Sequence, residues 1–323
     1  MAGLTLFVEE AEFMADSNHL AVLTQSVEAW NAWRQHSEDT PDLSGIDFSG
    51  RDLRNVDLHH ADLSDANLKG AHLGNANLES AILIGSCLNG ANLQRANLRQ
   101  AFLSEAQLQG ADLEDATLQD AILSEAQLQR ADLRRANLSF AVLDLADLTE
   151  ANLSEADLTA ARLTEATLHR ANLILAILVG ADLTHAHFEQ GNLRWANLSS
   201  IRGKGASFQS ANLNLAILKD AVLDGANFWH SILSFTDLQE ASLLGANLSG
   251  CKLVGSDLRK ANLTAADLQD ADLAGANLEK ASLHQAQLEG ANLDGANLRQ
   301  ADITETTLER AHLTATTLVL LRP

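Results

Sequence analysis

The amino-acid sequence predicts an all-β solenoid preceded by a short amphipathic helix, on three observations. From residue 41 to residue 320 the 323-residue chain divides into 56 consecutive five-residue units without insertion or deletion. Ala occupies the first position in 43 units, and Leu occupies the third position in 50. Of the 19 glycines, 15 stand at the fifth position. This regularity indicates a repeat architecture, in which similar units stack and bury one small and one large side chain each time.

The order of residues within a unit is typical of a strand followed by a corner. In ADLSD (61–65) and ANLQR (91–95), apolar side chains at positions one and three flank a polar one. Alternation with a period of two places the apolar pair on one side of an extended chain. A helix would spread a five-residue period around its whole surface. The fifth position falls where a type II turn needs positive φ, a conformation that Gly adopts without penalty.

The A-[DN]-L-x-x units resemble the pentapeptide repeat family over about 280 of the 323 residues. The resemblance implies an all-β fold, a right-handed quadrilateral parallel β-helix with four units per coil and Ala and Leu inside. Fifty-six units then make 14 coils. At about 4.8 Å per coil they form a rod of roughly 65 to 70 Å, in which residues 20 apart lie above one another.

One unit, IRGKG at 201–205, departs from the repeat, and the register of every later residue depends on how it is interpreted. Counted as a regular side, it keeps Phe188, Phe208 and Phe228 in one interior column, so we expect no excised loop. Because Gly203 removes the central side chain, we expect a local bulge and a weaker core. The alternative, an anion-binding nest, lacks the spacing of a phosphate-binding loop.

Two sets of apolar residues recur at intervals of 20 at positions that face outward. The first set occupies the second position of its units and consists of Ile82, Phe102, Ile122 and Val142. The second occupies the fifth position and consists of Leu175, Trp195, Leu215 and Phe235, with Ile177 and Ile217 beside it. Contiguous apolar patches on a surface often mark contacts, and Trp195 and Phe235 are the best anchor candidates. The N-terminal segment or a second copy of the chain are alternative covers for both sets.

The two ends of the chain lack the repeat pattern. Residues 1–40 are predicted to form a tail and one amphipathic helix between Asn18 and Gln35, with Asn18 as the N-cap. This helix is expected to cover the open first coil, where unpaired strand edges invite aggregation; a separate recognition helix is the alternative. Residues 41–320 form the solenoid and 321–323 a tail. Near the C-terminus, four apolar residues either plug the last coil or make a homodimer contact: Leu318, Val319, Leu320 and Leu321.

The sequence offers no recognised set of catalytic, cofactor-binding or metal-ligating residues. His59, His60 and His72, or His185 and His187, approach one another at corners, but no Cys/His group has a zinc spacing. An interior filled by Leu and Ala leaves no ligand-sized cleft. We therefore expect no enzyme activity, no cofactor and no metal. No run reaches the roughly 18 apolar residues of a membrane span, and the acidic start lacks a signal peptide, so a cytoplasmic location is expected.

Charge separates two functional hypotheses. The chain carries 22 Lys and Arg against 43 Asp and Glu, a net charge of −21, of which −15 belongs to residues 41–323. A negative surface disfavours direct nucleic-acid binding. The favoured hypothesis is a rigid, non-catalytic scaffold whose apolar columns bind an unidentified protein. The alternative, implied by the resemblance, is a DNA mimic that binds a type II topoisomerase such as gyrase, although a duplex of equal length carries about 40 negative charges.

Overall fold

The computed structural model describes residues 16–37 and 39–317, and it consists of two short helices followed by a solenoid. Helix α1 spans Ser17–Leu23 and helix α2 spans Val27–Arg34. From residue 42 onward the β structure consists of single-residue parallel bridges, each joining the second residue of a unit to the residue 20 positions later, from Asp42↔Asp62 to Asn297↔Thr317. Four units therefore complete one coil.

Coils and faces are named from the start of the repeat. Coil 1 begins at residue 41, and each later coil begins 20 residues further on. Within coil 1 the first face comprises residues 41–45, the second 46–50, the third 51–55 and the fourth 56–60, and every coil repeats this order. The described residues reach into coil 14.

Backbone hydrogen bonds join each coil to its neighbours. The third-position N–H of Leu63 donates to the carbonyl of Ile82 at 2.7 Å, and the second-position N–H of Ile82 donates to the carbonyl of Ala61 at 2.9 Å. The fifth-position N–H of Asp65 donates to Ile84 in the same way. This pattern satisfies the backbone along the rod, as a buried sheet requires. It confirms the prediction that residues 20 apart stack.

Each corner is a tight turn with one residue in the left-handed conformation. The first-position N–H donates to the third-position carbonyl of the preceding unit, as Ala66 does to Leu63 at 3.1 Å. Every fifth position from 45 to 315 has a φ between 54° and 70°. This confirms the predicted positive φ, yet 40 of these residues are not glycine. The left-handed conformation costs an L-residue about 1–2 kcal/mol, so stacking tolerates a strain that the sequence alone does not reveal.

Asp and Asn at the second position have a role beyond facing outward. Their side-chain oxygen accepts the backbone N–H two residues later, as Asp62 does from Ser64 at 2.9 Å. Asn side chains also donate to the same position one coil earlier, as Asn97 does to Asn77 at 3.0 Å. The fourth-position N–H would otherwise lack a partner in the turn. The residue preference at position two therefore arises from a side-chain hydrogen bond that stabilises the corner.

The interior consists of rows of Leu and Ala, interrupted by one aromatic column. Phe188, Phe208 and Phe228 stack with ring centroids 5.0 and 4.9 Å apart. The unit at 201–205 lies in register between them, because Arg202 bridges both the coil before and the coil after. The prediction that this unit is one side of a coil and keeps the register is confirmed.

The predicted bulge at Gly203 is wrong. Its N–H donates to the carbonyl of Val222 at 2.7 Å, as in any other unit. The interior volume is filled because Ile201 replaces the usual Ala and is fully buried. A Cβ added to Gly203 would lie 2.9 Å from Cδ2 of Leu223. A large first residue thus compensates for the missing third side chain.

The N-terminal region contains two helices instead of the single predicted one, and their caps differ from the prediction. Asp16, and not Asn18, caps α1, because its carboxylate accepts the N–H of Asn18 at 2.7 Å. The hydroxyl of Thr24 donates to the carbonyl of Leu20 and ends this helix. Ser26 then accepts the N–H of Ala29 and begins α2. Side-chain hydrogen bonds of Thr and Ser compete with a continuous helix here.

Helix α2 lies against the first coil. Trp30 is fully buried, and its indole N–H donates to the carbonyl of Asp57 at 2.7 Å. The Asn31 side chain donates to the carbonyl of Asn55 and accepts the N–H of Asp57, both at 2.9 Å. These contacts occupy edge groups that would otherwise be unpaired. The boundary of the helical region at residue 40 remains a prediction.

The interior opens toward the C-terminal end of the described residues. Ile303 and Leu308 are only partly buried, and Leu313 is 46% exposed. Leucines of the last coils line an apolar cavity of about 220 Å³ there. The four apolar residues Leu318, Val319, Leu320 and Leu321 lie outside the described residues. Whether they plug this cavity or contact a second copy stays a prediction.

Candidate protein-interaction surface

The corner column consists of Leu175, Trp195, Leu215 and Phe235, at the fifth positions of the third face in coils 7 to 10. Their side chains are 51%, 44%, 39% and 58% exposed, respectively. All four have positive φ, which turns the side chain away from the interior. The predicted residues therefore form one continuous ridge with a spacing of about 4.8 Å per coil.

Two isoleucines and one arginine border the corner column. Ile177 and Ile217, on the fourth face, are 41% and 39% exposed. The guanidinium of Arg194 lies 4.4 Å from the centroid of the Trp195 ring, a cation–π contact that holds the indole in place. The column and the two isoleucines form a patch that spans two faces.

The predicted ladder of Ile82, Phe102, Ile122 and Val142 occupies the first face in coils 3 to 6. Its members are bridged in sequence along the rod. Only Phe102 reaches 40% exposure, and the other three are half-buried. Three exposed side chains flank the ladder: Ile84, Phe140 and Leu145. The ladder is therefore flatter than the corner column and presents less apolar surface.

Besides Leu313 and the three residues that flank the ladder, three further exposed apolar residues lie outside both predicted sets. Trp229, Val222 and Leu244 are 45%, 42% and 44% exposed. Trp229 packs edge-on against His230, with ring centroids 4.1 Å apart. None of the three repeats at an interval of 20, so a search for columns does not find them. The only sequence signal for each of them is a single bulky apolar residue at an outward-facing position.

Charge is distributed unevenly along the rod. Coils 1 to 6 (41–160) carry 19 acidic and 8 basic side chains, a net charge of −11. Coils 7 to 11 (161–260) carry 8 acidic and 9 basic side chains, a net charge of +1. Residues 261–320 carry 9 acidic and 3 basic side chains, a net charge of −6. The corner column therefore lies in the one part of the solenoid that has no excess of acid.

The third face is the extreme case of this distribution. Its five successive sides from 171 to 255 read ANLIL, GNLRW, ANLNL, SILSF and CKLVG, and they contain no Asp or Glu. Arg194 and Lys252 are their only charged residues. In a chain of net charge −21, this acid-free strip is an unusual surface, and depletion of charge is typical of the centre of protein interfaces.

Potential chemical sites have structural explanations. Within residues 16–37 and 39–317 one cluster of three carboxylates is close enough together to hold a metal ion, and it consists of Asp112, Glu114 and Asp132. Arg134 already lies 2.7 Å from Asp132 and 3.1 Å from Glu114, and these ion pairs raise the pKa of its guanidinium. Burial raises the pKa of the Cys251 thiol to about 11, which keeps it neutral.

The histidines that the sequence singled out do not form a metal site in the part of the chain that the structure describes. The rings of His59 and His60 pack in a T-shaped arrangement, with ring centroids 5.4 Å apart. His59 also contacts Arg34 and the carboxylate of Asp57. His187 lies 3.2 Å from Glu189. Neither α1 nor α2 is long and apolar enough to cross a membrane.

Comparison with known proteins identifies the family. The model of pentapeptide repeats matches in overlapping segments that cover residues 42–279 and 281–318. No curated protein matches the chain. Three similar solved structures are a pentapeptide repeat protein of the Arabidopsis thaliana thylakoid lumen, the plasmid-mediated fluoroquinolone resistance protein QnrB1, and HetL, a pentapeptide repeat protein of the cyanobacterium Nostoc sp. strain PCC 7120 involved in heterocyst differentiation regulation.

These likenesses differ in extent. The Arabidopsis protein is 35% identical over 29% of this chain and 66% of its own, with a TM-score of 0.29. QnrB1 is 22% identical over 53% of this chain and 88% of its own, with a TM-score of 0.44. HetL is 30% identical over 90% of this chain and 95% of its own, with a TM-score of 0.24. The chain belongs to the pentapeptide repeat family, whose members fold as right-handed quadrilateral β-helices.

Proposed function

We propose that this protein is a non-catalytic scaffold that binds other proteins through its exposed apolar columns. The observation that carries this proposal is the position of the corner column, four large side chains 39–58% exposed within the acid-free strip of the third face. Exposed apolar patches on a rigid surface are typical of binding sites, and Trp is among the residues that contribute most to binding energy.

Backbone conformation supports the same proposal. Fifth positions have positive φ, which Gly adopts without strain and Asn or Asp adopt at little cost. At four successive corners the chain instead holds Leu, Trp, Leu and Phe. These side chains add nothing to the Leu and Ala interior, because they point away from it. Contact with another protein surface explains their presence better than folding does.

A capture experiment with surface variants tests the proposal. The tagged full chain is compared with a corner variant, Trp195→Glu with Phe235→Glu, and with a ladder variant, Phe102→Glu with Ile122→Glu. The matched control places the same charges at the opposite corner of coils 8 and 10, His185→Glu with Gly225→Glu, where both positions are exposed. We expect a surface variant to lose proteins that the control retains. If all four chains capture the same proteins, the columns are not contact surfaces and the proposal is wrong.

A second candidate function is DNA mimicry directed at a type II topoisomerase, and the charge of coils 1 to 6 favours it. These six coils extend about 29 Å at 4.8 Å each and carry a net charge of −11. A duplex of that length carries about 17 negative charges, so the density here is roughly two thirds that of DNA. Coils 7 to 11 interrupt the resemblance, since their net charge is +1.

A gyrase supercoiling assay separates the two candidates. A DNA mimic is expected to inhibit supercoiling at micromolar concentration, and to lose this effect as salt rises, because its binding is electrostatic. A scaffold that binds through apolar side chains is less sensitive to salt. Absence of inhibition at micromolar protein would remove the mimic, whereas inhibition that disappears at high salt would favour it.

A further inference from the structure

The corner that carries the large side chains changes character abruptly after coil 10. In coils 11 to 14 the same fifth position of the third face holds Gly255, Gly275, Gly295 and Ala315, all exposed. A Cβ added to Gly275 would meet no atom within 4 Å. Four large residues in succession are therefore followed by four of the smallest. One edge of the rod consists of a ridge of four coils and a shallow trough of four coils.

We propose that the corner column binds a second copy of this chain, packed side by side and antiparallel, with the ridge of each copy in the trough of the other. This inference rests on the proposed function and names the partner of the corner column. A two-fold axis between coils 10 and 11 sets Phe235 opposite Gly255, Leu215 opposite Gly275, Trp195 opposite Gly295 and Leu175 opposite Ala315 of the second copy. A self-complementary contact of this kind closes the assembly as a dimer.

Three of the large side chains then lie opposite a glycine, and Leu175 lies opposite Ala315, the smallest side chain. Because the spacing along both edges is about 4.8 Å per coil, ridge and trough keep the same register over their whole length. Near the axis, the Phe235 ring already leans over its own Gly255, where an added Cβ would lie 2.7 Å from Cε1. The two Phe235 rings thus meet across the axis above both copies of Gly255. The match in shape depends on the order of eight residues and not on one.

The charge of the coils agrees with this arrangement. On the third and fourth faces, which meet at this corner, coil 10 (231–240) has two acids and no base, while coil 11 (251–260), which lies opposite, has three bases and one acid. On the same two faces coils 7 to 9 have two bases and one acid, and they lie opposite coils 12 to 14, which have three acids and two bases. Opposite signs therefore face each other along the overlap, with a small net charge on each side. The acidic coils 1 to 6 lie outside the overlap of coils 7 to 14.

The expected strength follows from the size of the contact. Eight coils overlap over about 38 Å, and a strip two side chains wide buries roughly 500 Å² on each copy. The total of about 1,000 Å² lies at the lower limit for specific complexes, so we expect a dissociation constant on the order of micromolar. The ladder at 82–142 lies in coils 3 to 6, outside the overlap. Each dimer would then present two ladders, one on each copy, as binding surfaces for a different protein.

Sedimentation equilibrium of the full chain tests the dimer. Between about 1 and 200 µM, a range that brackets micromolar affinity, the mass should rise from 34.6 kDa toward twice that value. Gly275→Arg fills the trough, and Arg95 and Arg135 occupy the same corner in earlier coils, so the fold accepts the side chain. This variant should dimerise at least tenfold more weakly, whereas Gly110→Arg, at a glycine corner in coil 4, should behave as wild type.

Cross-linking tests the antiparallel register. In a Cys87→Ser background, Leu215→Cys with Gly275→Cys should form a disulfide-linked dimer, and each single variant should not. Within one chain the two positions are three coils apart, about 14 Å, which is too far for a disulfide. A dimer that neither cross-links nor responds to Gly275→Arg uses another surface and overturns the inference.

The test of the dimer can fail without the proposed function failing, and the reverse. A wild-type chain that stays monomeric at about 200 µM overturns the dimer, while capture of proteins by the ladder or corner surfaces is judged by the variants described above. Loss of a different protein, and not of the dimer, in the Trp195→Glu and Phe235→Glu variant would assign the corner to that protein. Circular dichroism of each variant confirms that it is folded.

Discussion

The unit at 201–205 predicts a strong energetic coupling between Ile201 and Gly203. Ile201 is fully buried, so Ile201→Ala alone should lower the free energy of unfolding by about 2–5 kcal/mol. Gly203→Leu alone should cost about 1–3 kcal/mol, because its Cβ would lie 2.9 Å from Leu223 Cδ2 before the rest of the side chain is added. The double variant reads ARLKG, a regular unit, and should lie within about 1 kcal/mol of wild type.

Urea unfolding followed by circular dichroism measures the three free energies. If the single costs are recovered in the double variant, the coupling energy is about 3 kcal/mol or more, at the upper end for residues in contact. The turn N–H of Ile201 lies 3.5 Å from its acceptor, the carbonyl of Leu198, against 3.1 Å for Ala196, so the double variant also relieves a stretched corner. A double variant that loses the sum of the two single costs would show that Ile201 does not compensate for Gly203.

Three further predictions concern the cap and the ionisable groups. Trp30→Ala should lower the free energy of unfolding by about 3–5 kcal/mol and increase aggregation, measured by urea unfolding and light scattering, because Trp30 is fully buried on coil 1. Burial raises the pKa of the Cys251 thiol from 9.0 to about 11, so a thiol reagent at pH 8 should label half-buried Cys87 and spare Cys251. Because the unfolded chain loses this proton at a lower pH than the folded chain, the free energy of unfolding should fall as the pH rises from 9 toward 11. The backbone N–H of Ser49 donates to Asp47 and lowers the pKa of its carboxyl below the ordinary value of 3.8. The stability that Asp47 contributes is therefore complete above pH 3.8 and is lost as the pH falls through the lowered pKa. In Asp47→Ala, the free energy of unfolding should fall less steeply with decreasing pH.

The regular part of the fold was predictable because one short rule repeats. Interior Ala and Leu, outward polar residues and positive φ at the fifth position all follow from alternation and from turn chemistry. The column Phe188, Phe208 and Phe228 predicts the register through 201–205 from the sequence alone, because only an uninterrupted count stacks the three rings, as the structure shows.

Two predictions were wrong, one because a residue compensates for another and one because side chains bind the backbone. Gly203 predicts a bulge when its unit is considered alone, but Ile201 supplies the missing volume from the first position. The helix predicted from Asn18 to Gln35 has a continuous apolar pattern, yet the hydroxyls of Thr24 and Ser26 bind backbone groups and divide it. Hydrophobic periodicity reports which residues are buried, and it does not report such competing hydrogen bonds.

The residues of the candidate surface could be predicted from the sequence, whereas their position in a strip without acidic residues is visible only once each unit is assigned to a face of the solenoid. An interval of 20 identifies Trp195 and Phe235 as neighbours, but the acid-free strip appears only when each unit is assigned to a face. Trp229 has no partner 20 residues away and was missed for that reason.

Fifth positions separate binding from folding in this architecture. The backbone at these corners has the same conformation whether the residue is Gly275, Arg135 or Trp195. Because the side chain lies outside the Leu and Ala interior, its size and charge can change without disturbing the stacked core. The cost of a large apolar residue there is exposure to water, and within residues 16–37 and 39–317 Phe235 is still 58% exposed. A partner surface does relieve it, and the run of glycines further along the same corner has the shape to do so.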